Sequence, residues 1–164
     1  MKKTLKRRRK ENKTDYGKRI KFLKSNMPRI VFRKSNKFLI AQYVESREAQ
    51  DKILIGINSK LLLKYGWQKD SIGSLKSLPA AYLLGYLMGK KIISSKFKTP
   101  IIDFGMYQVS SKNKLQAFLK GLVDVGIKIK VKKENFPEDE RIKGKHMKKK
   151  INFDEIKTKI EKEK

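Results

Sequence analysis

Apolar positions crowd most densely between Leu78 and Met88, where Pro79, Ala80, Ala81, Tyr82, Leu83, Leu84, Gly85, Tyr86 and Leu87 leave no charged residue. The stretch predicts a core helix. Ser77 or Leu78 stands where an N-cap belongs, and Pro79 falls in the first turn, where its missing N–H costs nothing. Lys90 and Lys91 fall near the last turn, where cations suit the helix dipole. Ala81, Gly85 and Gly89 recur every four residues and give one face almost no side chain, so the helix is expected to lie close against a sheet. Gly85 and Gly89 also fit the spacing of a membrane helix-dimer motif. The apolar run is too short for that, since a bilayer span takes about 20 residues.

Upstream, Tyr16, Ile20 and Leu23 recur at helical spacing behind Thr14 or Asp15 as a cap, with Lys18, Arg19, Lys21 and Lys24 on the other face. Pro28 ends that segment. Arg29–Arg33 and Lys37–Val44 are rich in β-branched and aromatic residues, and the polar link Lys34-Ser35-Asn36 predicts a tight hairpin between them. A polar loop is expected from Glu45 to Asp51, then a third strand over Lys52–Ile57. Asn58 or Ser59 caps a short helix through Leu61, Leu62 and Leu63, which Gly66 ends, and Trp67–Ser77 reads as a loop turning at Gly73.

Beyond the core helix, Thr99–Gly105 predicts a short buried strand with Pro100 at its start. Ser110 or Ser111 opens a helix whose apolar positions Leu115, Phe118, Leu119, Leu122 and Val123 follow the helical repeat until Gly126. Ile127–Val131 alternates with period two, as a strand buried on one face does. From Lys132 the chain is polar and charged, with weak helical spacing at Ile151, Phe153, Ile156 and Ile160. The order is a three-stranded meander, helix, strand, helix, strand. It implies an α/β domain with a mixed sheet of about five strands and packed helices. The expected division is a basic arm with a short helix over 1–27, the α/β domain over 28–131, and a charged C-terminal extension over 132–164.

Charge then changes the picture. The 164 residues carry 43 Lys and Arg against 16 Asp and Glu, a formal charge of +27. Such a chain repels itself unless a polyanion neutralises it, and nucleic acid is the first candidate, an anionic membrane surface the second. The charge is concentrated at the start. Within residues 1–24 lie Lys2, Lys3, Lys6, Arg7, Arg8, Arg9, Lys10, Lys13, Lys18, Arg19, Lys21 and Lys24, opposed only by Glu11 and Asp15. The first dozen residues have no apolar period and are expected to be disordered in isolation. No apolar stretch follows this basic start, so none reads as a secretory signal.

Catalysis finds little support. The absence of Cys removes disulfides, thiol nucleophiles and thiolate metal sites together. Two-metal phosphodiester cleavage needs several carboxylates converging on ions about 4 Å apart. The first strand instead carries Arg29 and Arg33, and Asp103 has no carboxylate companion in the core strands, so it reads as a structural Asp before Gly105. Asp103-Phe104-Gly105 spells the kinase metal motif without the glycine-rich or catalytic loops that accompany it. His146 stands alone in a polar tail, and Gly89-Lys90-Lys91 ends a helix rather than opening one, so it is no phosphate loop. No catalytic residue, metal, cofactor or small-molecule substrate is expected. What remains is binding: Arg7, Arg8 and Arg9 suit bidentate phosphate contacts, and Tyr16, Phe38, Tyr65 and Trp67 are the aromatics weighed for stacking on unpaired bases.

Several stretches, all in order, resemble one family. They are Arg7-Arg8-Arg9-Lys10-Glu11-Asn12-Lys13-Thr14-Asp15-Tyr16, Pro28-Arg29 through Arg33-Lys34-Ser35-Asn36-Lys37, Ala41-Gln42, and Lys64-Tyr65-Gly66-Trp67. Further on come Pro79-Ala80-Ala81-Tyr82-Leu83 with Gly89-Lys90-Lys91, Leu119-Lys120-Gly121, and Phe136-Pro137 through Glu140-Arg141-Ile142-Lys143-Gly144. Together, over roughly residues 7–147, the chain resembles the archaeal and eukaryotic 5S-rRNA-binding large-subunit ribosomal protein, the eighteenth in universal naming. The resemblance implies a ribonuclease-H-like topology without the nuclease site, with basic N- and C-terminal extensions. It also implies a structural role in the large subunit of the cytoplasmic ribosome: docking 5S rRNA beside the large-subunit rRNA and neighbouring ribosomal proteins, away from any membrane.

Carried over by position, the RNA-facing residues are Arg7, Arg8, Arg9, Lys10, Lys13, Thr14, Tyr16 and Arg19, with Arg33, Lys34, Ser35, Asn36 and Lys37 at the hairpin turn. The chain departs from the family pattern over Ser71–Leu78, over Ile127–Glu134 and in the tail from Lys148. The alternative reading is a general basic nucleic-acid-binding or RNA-chaperoning domain, and a third is a degenerate nuclease.

Overall fold

A charged chain of this length folds only if its few apolar runs find one another, and the computed structural model shows how they do. It describes residues 5–48, 50–107, 110–147 and 151–162. Two helices come first, α1 (Arg7–Lys10) and α2 (Tyr16–Lys24), then strands β1 (Arg29–Lys34), β2 (Leu39–Arg47) and β3 (Gln50–Asn58). After two 3-10 segments, Ser59–Tyr65 and Lys69–Ser74, follow α3 (Leu78–Ser94), β4 (Ile101–Asp103) and α4 (Lys114–Asp124). The short α5 (Asp139–Ile142) and α6 (Phe153–Lys162) complete the described chain.

The sheet has four strands in the order β3-β2-β1-β4, with β1 antiparallel to β2 and parallel to β4. The mixed α/β class is the one the sequence implies, with one strand fewer. The missing strand is the stretch 127–131. Its alternation is real, since Ile127, Ile129 and Val131 turn inward while Lys128 and Lys130 are more open, but it joins no ladder. β4 offers only three residues. A groove of about 610 Å³ separates it from the stretch 128–132. Alternating burial comes here from packing against the core, not from a hydrogen-bonded neighbour.

The polar loop expected from Glu45 to Asp51 is mostly ladder. Glu45 pairs with Lys52, Ser46 with Asp51 and Arg47 with Gln50, beyond a bulge at Tyr43/Val44. The polar side chains that suggested a loop are the ones that close it: the Ser46 hydroxyl donates to Asp51 Oδ1 at 2.8 Å, and Glu45 and Lys52 face each other with opposite charge. At the other hairpin the Ser35 N–H donates to the Phe38 carbonyl at 2.9 Å, and Ser35 Oγ accepts from the Phe38 N–H at 2.9 Å.

α3 is the centre of the core, with Leu78 through Gly85, Leu87, Met88, Gly89 and Ile92 all buried. Its small-residue face meets α4 rather than the sheet. A Cβ at Gly85 would stand 2.1 Å from the Phe118 carbonyl oxygen, and one at Gly121 of α4 would stand 2.3 Å from the Tyr82 carbonyl oxygen. Two backbones are therefore in contact, each made possible by the other helix's glycine. α4 opens at Asn113, whose Oδ1 accepts from the Gln116 N–H at 3.0 Å while its amide donates to Ser110 Oγ at 2.9 Å. The cap is thus the asparagine, and one of the expected serines supports it. Gly66 (φ +102°) and Gly126 (φ +106°) end their segments in the left-handed region, as their positions in the sequence imply.

The C-terminal segment adds to this core. Phe153, Ile156 and Ile160 of α6 are buried, and the Phe153 ring lies 5.5 Å from that of Tyr82. Burying each such side chain contributes roughly 1.5–3 kcal/mol. Tyr86 Oη donates to Glu161 Oε1 at 2.9 Å and Lys90 Nζ to the Glu161 carbonyl at 3.1 Å, fixing the helix end. Trp67 is also core, 2% exposed, with Nε1 donating to the Ser71 carbonyl at 3.2 Å, so its ring is closed to bases.

The glycine contact makes a direct prediction. Gly85→Ala and Gly121→Ala should each push the two helices apart and lower stability by about 1–3 kcal/mol. Thermal melts check this, with Gly73→Ala as control, since a Cβ there meets nothing within 4 Å. Coincident melts for Gly85→Ala and wild type would refute the backbone contact.

Candidate nucleic-acid interface

The sequence predicts disorder in isolation over the first dozen residues; 1–4 lie outside the described residues, and from Leu5 onward the chain forms a hook. α1 is one turn long, Asn12 turns the chain at φ +51°, and the Lys13 and Thr14 N–H groups both donate to the Arg8 carbonyl. Two carboxylates gather the surrounding cations. Glu11 pairs with Lys13 at 2.7 Å and Arg7 at 3.1 Å, and Asp15 Oδ2 lies 3.6 Å from Arg9. Asp15 also caps α2 through Oδ1, which accepts from the Gly17 and Lys18 N–H groups. Hydrogen bonds from the Lys13 ammonium hold the Glu11 carboxyl below its ordinary value, and the Lys18 backbone N–H does the same for Asp15. Arg8 Nε donates to Thr14 Oγ1 at 2.9 Å, and Lys6 Nζ stands 4.7 Å from the centre of the Tyr16 ring. Exposed contacts of this kind are individually weak, so the hook rests on their number and on the backbone turn.

The hook folds against the outer face of the sheet, where period-two alternation puts Arg29 and Arg33 of β1 on one side. Arg29 is 4% exposed. Its Nη1 donates to Ser46 Oγ at 2.8 Å and its Nη2 lies 2.7 Å from Asp51 Oδ2. Nε has no hydrogen-bond partner, and Asp103 Oδ2 stands 3.8 Å away. Arg33 donates from Nη1 to the Phe32 and Asp103 carbonyls and sits 3.5 Å from Asp103 Oδ2. Asp103 Oδ1 accepts from the Gly105 N–H at 2.7 Å, the structural role the sequence implies. Arg19 reaches across from α2 to Asp51 at 3.3 Å.

Between hook, α2 and sheet lies a cleft of about 120 Å³ lined by Arg8, Lys13, Thr14, Asp15, Lys18, Arg19, Phe22, Arg29, Arg33, Asp103 and Gly105. Six cations there face two carboxylates. Of the residues singled out in the sequence, Arg8, Lys13, Thr14, Arg19 and Arg33 meet in this cleft. Arg7, Arg9 and Lys10 are exposed on the hook, Tyr16 is half-buried, and Lys34, Ser35, Asn36 and Lys37 are exposed at the hairpin tip. Arg29 was not among the sequence candidates. Its signal was a second arginine four residues before Arg33 on the same face of an otherwise apolar strand. Phe38 and Tyr65 pack against the core instead of standing open. Among the described residues no group of three or more His, Asp or Glu could hold a metal ion, and no helix is long and apolar enough to cross a membrane.

Comparison with known proteins decides what kind of scaffold carries this cleft. The profile of a family described as "Ribosomal large subunit proteins 60S L5, and 50S L18" matches residues 2–100. The chain is also 39% identical over 141 residues to the large ribosomal subunit protein uL18 of Korarchaeum cryptofilum (strain OPF8), covering 86% of this chain and 70% of that protein. The chain belongs to the uL18 family of large-subunit ribosomal proteins. Its role is that of a structural constituent of the large subunit in the cytoplasmic ribosome, and it is not an enzyme. Arginines on the sheet face of this uL18 member, where a nuclease needs carboxylates, suit that assignment.

Asp51 is the carboxylate on which the cleft's rear wall depends. Burial opposes its ionisation, but the Ser46 hydroxyl and the Arg29 and Arg19 guanidiniums outweigh that and hold its carboxyl below 3.8. A carboxyl that titrates lower when folded contributes stability that is fully present above its unfolded value and lost as pH falls through the folded one. Asp51→Asn should therefore melt below wild type near neutral pH, with the gap closing as pH falls through and below the ordinary aspartate range. A gap that stays constant over that range would show that the ion pairs of Asp51 do not contribute to the fold.

Proposed function

We propose that this chain binds 5S rRNA and docks it against the large-subunit rRNA, with the hook and the cationic cleft holding backbone phosphates. The observation that carries this reading is the cleft itself. Six cations from α1, the turn after it, α2 and β1 converge on a space suited to one phosphate; Asp15 and Asp103 line it too, with Asp51 behind Arg19 and Arg29 and Glu11 beside Lys13. The surplus of positive charge is one that a polyanion relieves. In this reading residues 1–27 are the RNA-facing arm and 28–131 the scaffold. Among the described residues of the 132–164 extension, α6 packs on the core and leaves its charged outer face to neighbouring ribosomal proteins. Lys34, Ser35, Asn36 and Lys37 meet the same RNA from the hairpin tip.

Phosphate contacts give affinity without sequence information, so the test has two parts. Deleting residues 1–13 and, separately, replacing Arg8 and Arg33 with Ala should each flatten the dependence of log affinity on log salt. The expected change is about 0.7–0.9 for each phosphate that the variant no longer neutralises. The deletion should lower the melting temperature only slightly, because the hook's side-chain contacts are exposed. Competition against RNAs of equal length at moderate salt then reads specificity. Preference for 5S rRNA with a reduced slope in the variants supports the proposal. Equal affinity for every RNA favours the general nucleic-acid-binding reading, and an unchanged slope removes the cleft from the interface.

A further inference from the structure

A second recess lies on the opposite side of the β1–β2 hairpin, where the first turns of α3 and α4 meet the end of β1. It has a volume of about 600 Å³, within the range of small-ligand pockets. Its chemistry differs from the cleft. The floor is apolar and belongs to the core, made by Phe32, Leu78 and Leu115. The rim carries Lys34, Lys112, Lys114 and Arg141, and among the described residues no carboxylate lines it. Lys112 is engaged by Glu138 at 2.9 Å. Lys114 is crowded: its own burial, and then Lys34 and Lys76, push its ammonium below the ordinary lysine value.

Tyr107 closes one side. It is an exposed aromatic, 37% open, and its hydroxyl donates to the Lys34 carbonyl at 3.1 Å, which fixes the ring at the rim. Lys34 Nζ stands 5.6 Å from the ring centroid. Met106 lies beside it, 36% exposed, and its Sδ accepts from Arg9 of the hook at 3.6 Å, so the recess and the phosphate-binding hook share a border.

We propose that this recess holds one unstacked nucleotide of the bound RNA, its base against Tyr107 and Met106 over the apolar floor and its phosphate on Lys34 and Lys114. The inference rests on the RNA-binding reading above. An apolar floor alone would suit a peptide side chain, and cations alone would suit a bare phosphate. A base carrying a phosphate satisfies both, and proteins that read RNA stack splayed bases on aromatic side chains in this way.

The experiment measures affinity of the full chain for a 5S rRNA transcript at several salt concentrations. Tyr107→Ala should lose about tenfold in affinity, the order expected for one stacked base, with an unchanged salt slope. Tyr107→Leu, which keeps apolar bulk at the site, should lose a similar factor, and Tyr107→Phe should bind nearly as wild type. Lys114→Met should weaken binding and reduce the slope by about 0.7–0.9. If Tyr107→Ala and Tyr107→Leu bind as wild type, the proposal is overturned, whether or not Lys114→Met is weaker, because the recess then takes at most a phosphate. If the wild-type chain itself shows no preference for the transcript, the underlying reading fails, and the nucleotide site fails with it.

Discussion

A guanidinium taken out of water must be met by anions, and the arrangement of Arg29 follows from that requirement. The side chain is almost wholly buried on the outer face of β1, with Asp51 from β3 on one side and Asp103 from β4 on the other. These carboxylates sit on opposite edges of a four-stranded sheet, so one cation ties the sheet across its width. Removing one partner from such a group typically costs about 3–5 kcal/mol, far more than an exposed pair. The same two carboxylates then set the neighbours: Asp51 orients Arg19 of α2, and Asp103 orients Arg33. The positions of three arginines in the cleft thus follow from one buried charge.

The acids of this chain are few, and several of them organise cations rather than neutralise the surface. Glu11 holds Arg7 and Lys13, and Asp15 caps α2 while holding Arg9. Glu138, Asp139 and Glu140 in turn pair with Lys112, Lys120 and Lys145 around α5. A formal charge of +27 remains after every acid is counted. That surplus disfavours the compact state through self-repulsion, while the core is built around α3, whose stretch from Leu78 to Gly89 carries no charge. Placing the charge on the hook, the sheet face and the hairpin lets an RNA partner remove the repulsion where it is greatest.

What the sequence conveyed well was whatever local chemistry decides alone. Asp15 and Asn58 cap their segments, Gly66 and Gly126 end theirs, and the apolar run from Leu78 became the core helix. It conveyed poorly whatever depends on a distant partner. The spacing of Gly85 and Gly89 implies a close approach and points it at the sheet, whereas what approaches Gly85 is α4 with its Gly121, far along the chain. The stretch 127–131 has the burial period of a strand but no strand to pair with. The polar residues from Glu45 to Asp51 looked like a loop because their partners are one another and Arg29. Arg8, Lys13, Thr14, Arg19 and Arg33 were recognisable one by one from charge and family resemblance. That they share a cleft with Arg29 was not, since only the fold brings β1 against the hook.

The relation between the cleft and the recess follows from the geometry of a single strand. Side chains alternate across a sheet, so neighbouring residues of β1 serve different compartments. Arg29 and Arg33 point to the outer face and enter the polar cleft, while Phe32 and Lys34 point the other way and enter the apolar recess. A one-residue slip in the β1–β2 register would exchange them, burying arginines against the core and exposing Phe32. The register is held by Ser35, which bonds Phe38 through both backbone and hydroxyl, and by Arg29 pairing opposite Val44 at the far end. The hairpin between cleft and recess is therefore more than an exposed polar tip. Its register sends Arg29 and Arg33 to the polar cleft and Phe32 and Lys34 to the recess, so that one strand lines both.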